Sequence, residues 1–251
     1  MLISGMPDPL HITTIFFDLD NTLFDHSRAE AETLEHLVKA FPDIFSDVSA
    51  DLVNRVYRKH NRILWKKMAA GELAAAEVKL LRFKNTLEEL GLPAGKASKL
   101  ARAYLEVYRE QTCSCPNVQE TLTHLQATGY RLGLLSNGFP EIQERKLQNL
   151  KIADFFRFKV YSDAVGEMKP SPSIFRYAER AATARGAEIA YVGDSLEDDI
   201  LGAQAVGWTT VWFNPQGKLA DGAEPDFEIG ALPQLQEIFT NSQAKRTGGR
   251  E

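Results

Sequence analysis

Thr13-Thr14-Ile15-Phe16-Phe17-Asp18-Leu19-Asp20-Asn21-Thr22 is the stretch on which the fold turns. Its first five residues are β-branched or aromatic and uncharged, as expected of a strand buried on both faces. The run then breaks into two carboxylates, Asp18 and Asp20, and a turn-forming Asn21. From about Arg28 to Thr112 the strand character is gone and apolar residues recur at helical spacing. Leu34, Leu37, Val38 and Phe41 fall on one helix face. Leu52, Val56, Ile63 and Leu64 suggest a second, and Val78, Leu80, Leu81, Phe83 and Leu87 a third. Leu90-Gly91-Leu92-Pro93 stops that pattern, and Ala97 to Tyr108 predicts another helix.

Beyond Cys115-Pro116 strands and helices alternate. Strands are predicted at Arg131 to Leu135, Phe158 to Tyr161, Ile189 to Val192 and Thr209 to Trp212. Helices are predicted at Val118 to Gln126, Pro140 to Leu150, Pro172 to Arg185 (with Ser171 as N-cap), Glu197 to Val206 and Leu232 to Phe239. Such alternation with right-handed crossovers makes a doubly wound parallel α/β sheet of Rossmann-like type. The expected organisation is therefore a core of residues 1–25 plus 113–241, an inserted helical cap over 26–112, and a disordered polar tail over 242–251.

Composition narrows the function classes. The 251 residues hold 34 Asp+Glu against 29 Lys+Arg, a net charge of −5, which argues against a binder of nucleic-acid polymers or membrane surfaces. Two cysteines, Cys113 and Cys115, make no disulfide framework, so a reducing cytoplasm is expected. No run reaches the length of a membrane span, and the start MLISGMPDPLH lacks a signal-peptide pattern. Neither a P-loop nor a dinucleotide fingerprint is present, and the five histidines show no zinc-ligand spacing. Ser136 lies outside any G-x-S-x-G elbow, which disfavours serine hydrolysis.

In open α/β sheets ligands bind beyond the carboxyl ends of the strands. Here one predicted strand ends in Asp18 and Asp20, another in Ser136 and another in Asp194. A single such Asp reads most simply as a turn former, whereas three polar strand ends call for a shared purpose. Grouped carboxylates require a cation, and an oxygen-only ligand set favours Mg²⁺. Lys169, between Glu167-Met168 and Pro170, is either a surface lysine or an ammonium held in place by a stiff loop.

Phe17-Asp18-Leu19-Asp20-Asn21-Thr22-Leu23, Leu135-Ser136-Asn137-Gly138, Lys169-Pro170 and Val192-Gly193-Asp194-Ser195-Leu196-Glu197-Asp198-Asp199-Ile200 resemble, in order, the four motifs of the haloacid dehalogenase superfamily. With the helical insertion, the resemblance reaches to about residue 240. It implies that Asp18 is a nucleophile forming an aspartyl phosphate and Asp20 a general acid and base. It implies that Ser136 and the Asn137 backbone hold phosphoryl oxygens, that Lys169 offsets negative charge, and that Thr22 orients its neighbours. Mg²⁺ would be held by Asp18, Asp194, the backbone carbonyl of Asp20, and Asp199, chosen over Glu197 and Asp198 because it directly precedes Ile200-Leu201-Gly202-Ala203.

The second carboxylate selects the reaction. An alkoxide leaving group needs a proton and a halide does not, so Asp20 argues for phosphomonoester hydrolysis over dehalogenation. The insertion, with Ile63-Leu64-Trp65 and Gly71-Glu72, is similar to those of pyrimidine 5′-nucleotidases and acylneuraminate-9-phosphatases. The substrate implied is a small phosphorylated metabolite, first a nucleoside 5′-monophosphate, with a sugar phosphatase or phosphomutase as the alternative. Trp65 would stack on a base or pack between helices. A receiver-like or inactive binding module is the non-enzyme alternative, and the insertion has no purpose in a bare receiver.

Residues 26–112 hold 15 Lys+Arg and 12 Asp+Glu, net +3, against net −8 for the remainder. A cationic lid opening and closing on hinges near 24–28 and 112–116, above an acidic floor, is the expectation this division raises.

Overall fold

The predicted strands assemble as one parallel sheet. β1 (Thr14–Phe17), β2 (Arg131–Ser136), β3 (Phe156–Tyr161), β4 (Ile189–Gly193), β5 (Thr209–Phe213) and β6 (Phe227–Ile229) lie in the order β3-β2-β1-β4-β5-β6. The structure is a computed structural model that describes residues 11–220 and 222–239. The lead-in before His11 and the tail from Ser242 lie outside them. Every residue of β1, β4 and β5 is buried, because helices cover both faces of a parallel sheet. β6 is one strand more than the sequence predicts; at three residues it is too short to show any alternation. β3 begins at Phe156, two residues early. Its exposed Arg157 obscures the strand in the sequence but suits this edge position.

Between β1 and β2 the chain departs and returns side by side, with an antiparallel bridge between Phe24 and Ser114. It divides there into two compact units. One comprises the residues to Asp25 with those from Thr112, and the other is His26–Gln111. The second unit is helical: α1 (His26–Ala40), α2 (Pro42–Phe45), α3 (Ala50–Ala69), α4 (Ala75–Glu89) and α5 (Ala97–Tyr108). Ser49 caps α3 by accepting the Leu52 amide at 3.3 Å. On α3 the inward stripe is Val53, Val56, Tyr57 and Leu64. Leu52, Ile63 and, on α4, Leu80 are exposed, contrary to the faces drawn from the sequence. One residue rotates a helix face by about 100°, so a stripe misplaced by one position points elsewhere. Inside, Tyr57, Phe83 and Tyr104 pack with centroids 5.1–5.5 Å apart. The buried Arg82 guanidinium lies over these three rings, at 5.6, 5.7 and 4.7 Å.

In the sheet unit, α6 (Val118–Ala127) leads into β2, α7 (Pro140–Asn149) joins β2 to β3, and α8 (Ser162–Val165) and α9 (Pro172–Ala182) join β3 to β4. Ile174, Phe175 and Ala178 of α9 pack with Phe16, Leu135, Tyr191 and Trp208 in one core cluster. α9 stops at Ala182, short of the predicted Arg185, where Thr183 turns left-handed at φ 49°. Ser171 precedes α9 without capping it, and its hydroxyl donates instead to the Glu167 carboxylate at 2.9 Å. The helix predicted over Glu197–Val206 is instead a wide turn of π type over Leu196–Leu201, followed by α10 (Gly202–Gln204). Residues 234–239 are helical, within the predicted final helix. No helix among the described residues is long and apolar enough to cross a membrane.

Phe16 is fully buried on the central strand, with ring centroids 5.3 Å from Trp208 and 6.3 Å from Phe158. Phe16→Ala is expected to cost about 3–5 kcal/mol, read as a lower denaturation midpoint at constant slope.

Candidate active site

Sheet register places the polar strand ends together. Phe17 of β1 pairs with Leu134 of β2 and Val192 of β4, so Asp18, Ser136 and Asp194 emerge at the same carboxyl edge. The chain order reverses at β1, which is where open sheets form a ligand crevice. The Asp18 amide donates to the Val192 carbonyl at 2.9 Å and fixes the nucleophile candidate to β4. The chain then curls: the amides of Leu23 and Phe24 both donate to the Leu19 carbonyl, at 2.9 and 2.8 Å, and Asn21 is left-handed at φ 62°.

Lys169 occupies the centre. It is 3% exposed, and its Nζ donates to Asp18 Oδ1 at 2.7 Å, Asp199 Oδ1 at 2.6 Å and the Tyr191 hydroxyl at 2.9 Å. The surface-lysine reading is thereby excluded. The Tyr191 hydroxyl in turn donates to the Leu135 carbonyl at 2.8 Å. Asn137 clamps the Lys169 backbone from both sides: its Oδ1 accepts the Lys169 amide at 2.8 Å and its Nδ2 donates to the Lys169 carbonyl at 2.9 Å. Burial alone would lower the lysine pKa. The Asp18 and Asp199 carboxylates outweigh that and hold it well above the ordinary 10.5.

Of the three consecutive acids at 197–199, the fold brings Asp199 to the site. It is 1% exposed, and its Oδ2 accepts the Ser195 amide at 3.0 Å. The turn holds it there, because the Ser195 carbonyl accepts both the Asp199 amide at 3.0 Å and the Ile200 amide, five residues on, at 3.2 Å. Gly193 makes room for it, since a Cβ there would lie 2.3 Å from Asp199 Oδ2. Asp18, Asp194 and Asp199 each present a carboxylate oxygen, all within 4.8 Å of one another. Burial raises Asp18 from the usual 3.8 to about 7, opposed by Lys169 and reinforced by Asp199 and Asp20. Burial likewise raises Asp194 to about 8, reinforced by Asp199 and Asp18 and opposed by Lys169 and Lys218. Three crowded carboxylates facing one buried ammonium form an oxygen-only set whose remaining negative charge fits a hard divalent cation.

Asp20 turns its side chain away from this group, towards α7. Its Oδ1 meets Lys146 Nζ at 2.5 Å and its Oδ2 meets Gln143 Nε2 at 2.9 Å. Gln143 Nε2 also donates to Ser136 Oγ at 2.7 Å. Thr22 is fully buried, but its hydroxyl has no hydrogen-bond partner among the described residues, so the orienting bond expected of it is not seen. Trp65 lies in the other unit, on α3, partly exposed. Gln143, Lys146 and Tyr191 escape the sequence reading. A Gln and a Lys three apart resemble a solvated helix face, and a Tyr inside an apolar strand resembles core. Read against Leu147 as the one buried apolar residue of α7, the i, i+3 pair was the available signal.

A model for haloacid dehalogenase-like hydrolases matches residues 12–207. The chain is 32% identical over 239 residues to the ribulose-1,5-bisphosphate 5-phosphatase of Halopiger xanaduensis, covering 91% of this chain and 99% of that one. It is 28% identical over 230 residues to the pyrimidine 5′-nucleotidase YjjG of Escherichia coli, covering 90% and 96%. Among solved structures, the magnesium-bound HAD-hydrolase YfnB of Bacillus subtilis superposes with a TM-score of 0.81 at 28% identity, covering 92% of this chain and 99% of that one.

The raised carboxyls make stability depend on pH. Because Asp18 and Asp194 titrate near 7 and 8 when folded and near 3.8 when unfolded, the folded state binds more protons in between. Their contribution is full below 3.8 and is lost as pH rises through about 7 and 8. The metal-free protein should therefore lose Tm between about pH 5.5 and about pH 8.5, and a hard divalent cation should raise Tm more at the higher pH. Lys169→Met leaves buried carboxylates uncompensated and should cost about 3–5 kcal/mol at neutral pH, less in acid where Asp18 is protonated.

Proposed function

The chain belongs to the haloacid dehalogenase-like hydrolase family, and from that premise we propose an Mg²⁺-dependent phosphomonoesterase acting through an aspartyl phosphate on small phosphorylated metabolites. The observation that carries the reading is Asp18, buried at the edge of β1 with Lys169 on one carboxylate oxygen. In the proposed reaction the other oxygen attacks phosphorus, and the bond from phosphorus to the leaving oxygen breaks as the Asp18–phosphorus bond forms. Asp20 gives its proton to the leaving oxygen. It then takes a proton from water, whose oxygen attacks phosphorus, releasing inorganic phosphate and restoring Asp18. Ser136 and the Asn137 backbone bind phosphoryl oxygens, and Lys169 offsets their charge. Asp18, Asp194, Asp199 and the Asp20 carbonyl would hold Mg²⁺, which supplies further neutralisation of the phosphoryl group.

Asp20 is what separates this chemistry from carbon–halogen cleavage, in which the leaving group needs no proton. The nucleotide reading draws on the likeness to the Escherichia coli 5′-nucleotidase, and the sugar-phosphate reading on the likeness to the Halopiger phosphatase. A cytoplasmic setting is in keeping with Cys113 and Cys115, both buried and unbridged.

Purified protein should release phosphate from a panel of nucleoside monophosphates and sugar phosphates with Mg²⁺, and EDTA should abolish release. Asp18→Asn should lower turnover by about 10³-fold or more. Absence of EDTA-sensitive release from every substrate would overturn the reading, and the panel ranks nucleotide against sugar.

A further inference from the structure

We propose that Gln143 and Lys146 of α7 are positioning residues that hold Asp20 and Ser136 as one unit, fixing the acid–base carboxylate and aiming the serine hydroxyl at a phosphoryl oxygen. The inference rests on the reading of Asp20 as acid and base given above.

Gln143 is 1% and Lys146 3% exposed, unusual burial for these residue types, and both lie on the inner face of a mostly polar helix. Each Asp20 oxygen has its own donor: Lys146 Nζ at 2.5 Å on Oδ1 and Gln143 Nε2 at 2.9 Å on Oδ2. Both contacts use Asp20 oxygens as acceptors, so the NH₂ end of Gln143 must face Asp20, and the remaining lone pairs of those oxygens carry the proton in the acid half of the cycle. The second amide hydrogen goes to Ser136 Oγ at 2.7 Å. A hydroxyl that accepts at its oxygen keeps its single hydrogen for another acceptor. Ser136 is thus left as a donor, the polarity a phosphoryl oxygen requires.

Gly138 makes room for this link. A Cβ at that position would lie 2.6 Å from Gln143 Nε2, 2.7 Å from Cδ and 2.9 Å from Cγ. The Lys146 ammonium is steadied by the Phe24 ring, 4.9 Å from its centroid. The amide, seated in that slot, and the ammonium together hold the Asp20 carboxylate against α7.

The test compares p-nitrophenyl phosphate, whose leaving group departs without a proton, with a primary alkyl phosphomonoester, whose leaving group needs one. Since kcat/KM covers steps only up to leaving-group departure, Lys146→Met should lower it roughly tenfold or more further for the alkyl ester than for the aryl ester. Lys146→Arg should restore the alkyl-to-aryl ratio to within about threefold. Gln143→Met, which frees Ser136 as well, should reduce both substrates and the alkyl ester more. In an Asp20→Asn background, Lys146→Met should add no further alkyl-specific loss. Equal losses on both esters in Lys146→Met, or an undiminished alkyl-specific loss in the Asp20→Asn background, overturn the proposal. Circular dichroism establishes folding, and if Lys146→Met does not fold, the ratio in Gln143→Met decides by the same criterion. Failure of the underlying reading looks different: the wild type would hydrolyse neither ester, or Asp20→Asn would spare alkyl hydrolysis.

Discussion

One ammonium group buried between two carboxylates organises the carboxyl edge of the sheet. Lys169 bonds Asp18 beyond β1 and Asp199 beyond β4, takes Tyr191 of β4 as a third acceptor, and has its backbone gripped by Asn137 beyond β2. Ions removed from water are costly, and mutual attraction compensates only when geometry and hydrogen bonds are complete. Here they are complete around the lysine and incomplete around the acids, since Asp18, Asp194 and Asp199 outnumber the single ammonium. Burial, reinforced by that crowding, raises Asp18 and Asp194, and the imbalance makes the edge a natural cation holder. The strand ends are therefore fixed relative to one another by a charge that none of them could carry alone.

Much of this can be read in the chain, for a physical reason. Short buried strands of a parallel sheet appear as uninterrupted apolar runs, and a carboxylate or hydroxyl directly after such a run is conspicuous. Asp18, Ser136 and Asp194 announce themselves this way. Asp199 is harder, with Glu197 and Asp198 beside it, and its selection rests on the following Ile200-Leu201-Gly202-Ala203. What is not legible comes from packing. Gln143 and Lys146 look like a wet helix face until Asp20 and Ser136 are seen against them. Tyr191 looks like filler until its hydroxyl is seen on Lys169. Helix faces in the insertion are drawn one residue out at Leu52 and Ile63, because amphipathic spacing gives the period of a helix more reliably than its phase.

The helical unit has its own buried charge arrangement. Glu30, 2% exposed, is met by Arg58 Nε at 2.8 Å, while Arg82 is surrounded by aromatic faces. The same rule is satisfied by different means: a salt bridge and ring quadrupoles in one unit, hydrogen bonds and convergent carboxylates in the other.

The wide turn at Leu196–Leu201 bears on how such sites vary in length. A turn closing over five residues stores one residue more than an ordinary α-turn while leaving both ends in place. The interval between Asp194 and Asp199 is therefore elastic. A chain with one residue fewer could close an α-turn and deliver the same two carboxylates four positions apart. Pattern searches that demand a fixed interval would separate proteins that share one edge geometry, and alignments across this turn should be expected to gap where the structures superpose.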